Sequence, residues 1–299
     1  MKLRYVATAE TDIGIVKDTN QDSVLIKHAT YGKSEVLMAI ICDGMGGLSK
    51  GEVASATVIR EFDKWFLTNL EFELRNPDMD VIGGKWALLL KNLNIKIQEY
   101  GQSIGERLGT TFTGALFINN KYLVVHVGDT RLYRIDKTLQ QLTNDHTYVA
   151  REVLKGNLTP EQAKTDKRRN MLLQCVGASK IIEPQIICGD ASKCVYLLCS
   201  DGFRHRITDE EISESFNFKD LRNKTVMHTK SKKMIELVKE RKEKDNISVV
   251  LIKSLTNSKG TNKISVLKRF LSSYKQMIGI GFMFLAISLL LFIYSMICM

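Results

Sequence analysis

The chain has 299 residues, with 43 Lys+Arg against 33 Asp+Glu and a formal charge of +10. An apolar fraction of 44% and only 3 prolines exclude a collagenous, mucin-like or largely disordered chain. They leave room for one large domain or two ordinary ones. The basic excess by itself invites nucleic acid, so its position along the chain decides what it means.

Taken from the N-terminus, residues 4–252 alternate between β-rich runs and amphipathic helices. The first ten residues, MKLRYVATAE, lack the long apolar core of a secretory signal. Strands are expected at 5–9, 23–28, 36–42, 111–118, 122–127, 131–135, 195–199 and 247–252, where β-branched residues and strand lengths coincide. One long helix is expected over 52–72, with Val53, Ala54, Thr57, Val58, Phe62, Trp65, Phe66 and Leu70 on its apolar face. A second is expected over 85–104, with Leu88, Leu89, Asn92, Ile95 and Tyr100 turned inward; Trp65 and Trp86 fall on apolar helix faces. The succession 111–118, Asn119-Asn120, 122–127 reads as a hairpin and so as antiparallel pairing. Hairpin-paired strands with helices grouped in the first half argue an α+β fold in which helices cover sheets. Residues 145–180 are polar and helical, and Thr159-Pro160-Glu161-Gln162 carries a helix start with Pro at N1 and Gln at N3. This insertion reads as a surface flap.

The C-terminal end differs. Residues 277–298 are 22 residues without a charge, long enough at about 1.5 Å per residue to cross a hydrocarbon core of roughly 30 Å. The segment before it carries Lys253, Lys259, Lys263, Lys268, Arg269 and Lys275 and no acid, which places it on the cytoplasmic side. Ile264, Leu267, Phe270, Leu271 and Tyr274 recur at helical spacing and suit a helix lying along lipid headgroups. The expected organisation is a folded body over 1–254, a basic juxtamembrane linker over 255–276 and a transmembrane helix over 277–298. The stretch 219–244 has ten basic and four acidic residues and reads as a solvated helical face or, more sharply, as a surface that docks anionic lipid or an acidic partner; 27 basic and 29 acidic residues lie outside it and the tail. The basic excess therefore faces a membrane, and nucleic acid is not an expected partner. Six cysteines without a CxxC pair suit a reduced compartment and no zinc site; Cys42, Cys188, Cys194 and Cys199 read as core residues.

Three apolar runs end in an aspartate beside a glycine or a Gly-Asp turn: LMAIICDGMGG (Asp43), YLVVHVGDTR (Asp129) and VYLLCSDG (Asp201). Asp245 in DNISVVLI and Asp22 in NQDSVLI stand just before strands. A carboxylate at a strand end is held stiffly yet reaches solvent, and the glycine lets backbone approach closely. Several such carboxylates repel unless hard cations neutralise them, and Mg²⁺ or Mn²⁺ suits an all-oxygen site. Two metals can activate a water for in-line attack on phosphorus. No GxxxxGK(S/T), GxSxG or HExxH stretch is present, and the five histidines are scattered, so metal-assisted phosphoester hydrolysis is the chemistry the residues leave standing.

In order, the chain carries Lys17-x-x-x-Gln21-Asp22, Asp43-Gly44-Met45-Gly46-Gly47, Gly51-Glu52-Val53-Ala54-Ser55 and Gly109-Thr110-Thr111. There follow His126-Val127-Gly128-Asp129-Thr130-Arg131, Asp145-His146-Thr147, Cys199-Ser200-Asp201-Gly202 and Asp245-Asn246. This ordered set, over roughly residues 3–252, resembles the bacterial-type PPM (type 2C) metal-dependent serine/threonine protein phosphatases. The resemblance implies a four-layer αββα sandwich of two antiparallel sheets with metals between the sheet edges. It implies two Mn²⁺ or Mg²⁺ ions with a weaker third. Asp43 would bridge both metals, Gly44 would supply a carbonyl ligand, and Asp201 and Asp245 would complete the first site. Asp129, with Asp201, would take the third ion; Asp22 would hold metal-bound water. Lys17 stands where the family usually has the Arg that grips substrate phosphate, and Lys lacks the planar fork. Gln21 stands where Glu is common. Met45, common at this place in bacterial members, replaces the His proposed as general acid in eukaryotic members; the resemblance then implies a metal-bound water as the proton donor, with His126 and His146 as alternatives or as structural residues. The implied partners are phosphoserine/phosphothreonine proteins and a cognate Ser/Thr kinase, with membrane lipid around the C-terminal helix. A pseudophosphatase that binds a phosphoprotein without turnover is the rival expectation.

Overall fold

The computed structural model describes residues 2–45 and 50–256; the expected transmembrane helix at 277–298 and all but the first two residues of the expected linker lie outside the described residues. Ten strands are present among the described residues: β1 (Leu3–Asp12), β2 (Ser23–Tyr31), β3 (Ser34–Cys42), β4 (Phe112–Ile118), β5 (Lys121–Val127), β6 (Arg131–Ile135), β7 (Leu139–Gln141), β8 (Gln185–Asp190), β9 (Val195–Cys199) and β10 (Ile247–Thr256). Eight helices accompany them: α1 (Gly51–Thr68), α2 (Leu70–Glu73), α3 (Met79–Ser103), α4 (Tyr148–Leu154), α5 (Pro160–Thr165), α6 (Asp201–Arg204), α7 (Asp209–Ser215) and α8 (Lys224–Glu240). One sheet has the order β1-β10-β9-β6-β7 and the other β2-β3-β4-β5-β8. Every pairing is antiparallel.

Strand alternation builds the layers. On β3, Leu37, Ala39 and Ile41 join a core with Tyr5, Phe117, Tyr196, Leu198 and Val250 from both sheets. The intervening Val36, Met38, Ile40 and Cys42 join Phe62, Trp86, Leu90 and Leu93 under α1 and α3. On the other sheet Val195, Leu197 and Cys199 pack with Phe203, Phe216, Met227, Met234 and Val238. Both faces of the central strands are buried, which is why these runs are continuously apolar where a half-exposed strand would alternate. Phe117 sits 5.0 Å from Tyr5 and 4.9 Å from Tyr196 by ring centroid, joining the sheets. Trp86 meets Phe62 and Trp65 edge to face at 5.0 and 5.3 Å, contacts worth about 0.5–1.5 kcal/mol each beyond burial.

Several expectations are corrected. α3 begins at Met79, capped by Asp78, whose side chain accepts from the Asp80 and Val81 amides. Its buried face is Ile82, Trp86, Leu90, Leu93 and Ile97, whereas Leu88, Ile95 and Tyr100 are exposed. Apolar residues occur on both sides of this helix, so periodicity alone gave the wrong phase, and the sheet's need for Trp86 set it. Cys188 is exposed on β8, whose residues alternate between half-buried and exposed. Lys253 is not headgroup-facing: it lies buried in β10, with Nζ donating to the Leu221 carbonyl at 2.8 Å and lying 4.1 Å from the Phe218 ring centroid. The strands β7 and β8 carry no strong β signal in sequence. The Thr159 cap is present, with a capping box to Gln162 opening α5. In α8 Met227, Ser231, Met234, Ile235 and Val238 are buried while Lys224, Lys232 and Lys233 are exposed, so the basic residues form a solvated face.

Candidate metal centre

The topology brings the aspartates to one end of the sandwich. Ser23 at the start of β2 pairs with Cys42 at the end of β3, so Asp22 and Asp43 emerge side by side. Val249 near the start of β10 pairs with Cys199 at the end of β9, which does the same for Asp245 and Asp201. Arg131, which opens β6, also pairs with Cys199, and Asp129 lies on the link from β5 in one sheet to β6 in the other. Antiparallel pairing thus gathers five residues spread over more than two hundred positions.

Backbone bonds hold Asp43 in place. The Asp43 amide donates to Thr111 Oγ1 at 2.9 Å, and the Asp43 carbonyl accepts from the Thr111 amide at 2.8 Å and Thr110 Oγ1 at 2.9 Å. Beside it, a Cβ on Gly44 would stand 2.5 Å from the Gln21 carbonyl oxygen and 2.6 Å from that of Gly51, so only glycine fits. At Gly202 a Cβ would stand 2.1 Å from the Asn246 carbonyl oxygen, so this glycine lets the Asp201 turn close on the Asp245 strand. Asn246 itself is a residue whose role the sequence did not disclose. Its Nδ2 donates to the carbonyls of Ile13 (2.9 Å) and Thr19 (3.2 Å), and its Oδ1 accepts from the Gln21 amide at 2.9 Å. These bonds clamp the 13–21 loop to the start of β10. They leave Lys17 Nζ 3.0 Å from Asp245 Oδ1, with both side chains part-exposed. Gln21 Nε2 donates to Glu52 Oε2 at 3.0 Å.

The electrostatics follow from packing acids together out of water. Burial, and then Asp22, Asp201, Asp129 and Asp245 in turn, hold the Asp43 carboxyl well above the usual range. Asp22 is pushed up to about 7 by burial, with the Ser248 and Ser200 hydroxyls, which are near but make no hydrogen bond of good geometry to it, offsetting only part of it and Asp201 and Asp245 adding to it. Asp129 is also pushed up to about 7, by burial and Asp201, against the pull of Arg204. Asp201 is raised by burial, with Arg204 opposing. Both Asp22 oxygens and Asp201 Oδ1 are buried without a hydrogen-bond partner, as is Arg204 Nε. Unpartnered buried carboxylate oxygens cost several kcal/mol each unless a cation or proton compensates.

Among the described residues no three His, Cys, Asp or Glu side chains converge closely enough to hold an ion on their own. The donor chemistry nevertheless fits a hard divalent cation: carboxylate oxygens that repel one another, three of them orphaned, beside the Gly44 backbone. Mg²⁺ and Mn²⁺ retain several waters, so such a site does not need every ligand from the protein.

His205 Nε2 lies 3.7 Å from Asp201 Oδ2, whereas His126 and His146 stand apart from this chemistry. His126 is fully buried and pushed down to about 3 by burial; it pairs with Thr113 Oγ1 at 2.8 Å and the Asn144 carbonyl at 3.1 Å. His146 Nδ1 accepts from the Gly128 amide at 3.2 Å and pairs with Gln174 Nε2 at 2.9 Å, and burial lowers its pKa too. Both are structural, neutral imidazoles beneath the α4–α5 insertion.

With this geometry in view, the comparison with known proteins is decisive. The family model described as Protein phosphatase 2C matches residues 15–251. The chain belongs to the protein phosphatase 2C family. It is 32% identical over 260 residues to the serine/threonine protein phosphatase PstP of Mycobacterium tuberculosis, covering 83% of this chain and 44% of that one. The chain thus spans less than half the length of this curated relative. It is 29% identical over 246 residues to the protein phosphatase PhpP of Streptococcus pneumoniae, covering 81% and 94%. The catalytic domain of PstP, solved in complex with 2 manganese ions, superposes with a TM-score of 0.65 at 28% identity, covering 85% and 99%.

Proposed function

We propose that the chain is a metal-dependent protein serine/threonine phosphatase whose catalytic body is tethered to the cytoplasmic side of a membrane. The single observation that carries the catalytic reading is the cluster of Asp22, Asp43, Asp129, Asp201 and Asp245 at one end of the sandwich, with orphaned oxygens on Asp22 and Asp201. Asp43, the Gly44 carbonyl, Asp201 and Asp245 would hold two Mn²⁺ or Mg²⁺ ions. When bound, such ions supply Lewis acidity, lowering the pKa of water and neutralising charge on phosphoryl oxygens.

The chain's own residues do the rest. Lys17 Nζ is part-exposed on a loop clamped by Asn246, which suits it to attract a phosphate to the carboxylate end. Its ammonium is a point charge, so it draws the phosphate in without fixing its rotation. The free oxygens of Asp22 can accept a hydrogen bond from a water and aim it. His126 and His146 are engaged in structural bonds, so neither is positioned to protonate the leaving alkoxide. Phosphoserine and phosphothreonine proteins are the substrates this chemistry suits, with a protein kinase as the source of those groups. The membrane tether rests on the uncharged 277–298 segment and the basic residues before it.

Hydrolysis of an aryl phosphate and a phosphothreonine peptide by the full chain in detergent, with and without Mn²⁺, tests the reading. Asp43→Asn and Asp201→Asn are each expected to lower kcat/KM by at least ~100-fold, the scale of losing one group that stabilises transition-state charge. Unchanged rates would refute it. Cell fractionation with 277–298 deleted checks the tether, which fails if the shortened chain stays with the membrane.

A further inference from the structure

We propose that the guanidinium of Arg204 occupies the place of a third cation beside Asp129 and Asp201, so that this chain holds two divalent ions and no third. The inference rests on the reading of the aspartate cluster as a metal centre and goes beyond it, since the family resemblance assigns that position to a weaker ion.

The geometry is specific. Arg204 Nη2 donates to the Asp129 carbonyl at 3.2 Å and reaches Asp129 Oδ2 at 3.4 Å. The same nitrogen lies 3.8 Å from Asp145 Oδ2. Asp145 is itself fixed by Arg131, whose Nε donates at 2.8 and 3.1 Å and whose Nη2 donates at 2.7 Å. Arg204 is therefore held from two sides, and its anchor on a main-chain carbonyl cannot swing away. Asp201 lies three residues earlier on the same single turn, α6, so the helix presents both side chains on neighbouring faces.

An ion drawn to Asp129 and Asp201 would meet a guanidinium that is always protonated and has already been removed from water. It would have to displace Arg204 and break the bond to the Asp129 carbonyl, or share two carboxylates with a fixed positive charge. Arg204 supplies the neutralisation without exchange, so the occupancy of that position does not vary with metal concentration.

The test counts ions. The full chain in detergent is dialysed to equilibrium against graded Mn²⁺, and bound metal is measured by mass spectrometry. Wild type is expected to saturate at two Mn²⁺, and Asp129→Asn also at two. Arg204→Ala is expected to gain a third, weaker ion, which Arg204→Ala/Asp129→Asn loses again. Arg204→Lys, which keeps the charge, is expected to remain at two. A wild type that binds three ions and loses one with Asp129→Asn overturns the proposal, as does a folded Arg204→Ala chain that stays at two. If Arg204→Ala does not fold, the comparison of wild type with Asp129→Asn decides alone. A wild type that binds no Mn²⁺ overturns the metal-centre reading itself, a failure distinct from binding three.

Discussion

Asp22→Asn in the ion-free chain tests the carboxylate centre through stability, independently of turnover. Asp22 is 7% exposed, and neither of its oxygens has a donor. Burial and its acidic neighbours push its pKa up to about 7 from the ordinary 3.8. The folded chain therefore keeps a proton that the unfolded chain releases near 3.8. The stabilisation from that proton is complete below about pH 3.8 and is lost as the pH rises through about 7. The loss runs at no more than about 1.4 kcal/mol per pH unit, roughly 4 kcal/mol in all. Because Asp22, Asp43 and Asp129 share protons, about 1–3 kcal/mol is the expected share of one residue. Asparagine keeps the shape and cannot ionise, so its stability escapes this decline. The assay is urea unfolding of the chelator-treated chain, followed by circular dichroism from about pH 4 to about pH 8. The two curves should converge at the acid end, and the variant should lie above wild type by about 1–3 kcal/mol at the alkaline end. Saturating Mn²⁺ should narrow or reverse the gap, because the ions stabilise wild type by mass action. Parallel curves, or a variant less stable than wild type at about pH 8 without metal, would refute the electrostatic reasoning.

Two further outcomes concern the loop that carries Lys17. Asn246→Ala removes three hydrogen bonds that join residues 13–21 to β10 and should cost about 1–3 kcal/mol in unfolding experiments; KM should rise more than kcat falls, since Lys17 loses its anchor while the aspartates stay. Lys17→Arg replaces a point charge by a fork matched to phosphate and should lower KM for a phosphothreonine peptide by roughly five-fold, about 1 kcal/mol, with steady-state kinetics as the check.

The central strands were legible because burial on both faces leaves runs such as VLMAIIC and VYLLC that no surface strand would tolerate. β6 and β9 appear at the boundaries their residues suggest. β7 and β8 were not legible: three polar or half-exposed residues, and an edge strand QIICGD, take their conformation from partners supplied by the rest of the fold. The phase of α3 was lost for a related reason. Leu88, Leu89 and Leu90 offer an apolar residue to any face, and only the sheet beneath selects Leu90 with Trp86. At the centre, the aspartates announced themselves by standing at strand ends beside glycines. Asn246 and Arg204 did not, since an amide that clamps a distant loop and an arginine that crosses to Asp129 act through neighbours absent from their own stretch of sequence. For Arg204 a signal existed in the i, i+3 spacing from Asp201, but nothing local distinguishes it from a solvated helix charge.

The charges at this end of the sandwich are graded in a way that fits two ions. Two of the aspartates already have protein cations: Lys17 on Asp245 and Arg204 on Asp129. The other three, Asp22, Asp43 and Asp201, have no Lys or Arg ion pair among the described residues, and the orphaned oxygens lie on Asp22 and Asp201. Five carboxylates against Lys17 and Arg204 leave three negative charges uncompensated. Two divalent ions would turn that deficit into a single positive charge, a balance that attracts a phosphate dianion without holding the product inorganic phosphate strongly. A third ion would raise the excess to three and favour retention of product. On this view Arg204 and Lys17 set the charge of the loaded site as much as the aspartates do. Removing Arg204 should therefore slow phosphate release as well as open a place for metal, and inhibition by inorganic phosphate should tighten in Arg204→Ala.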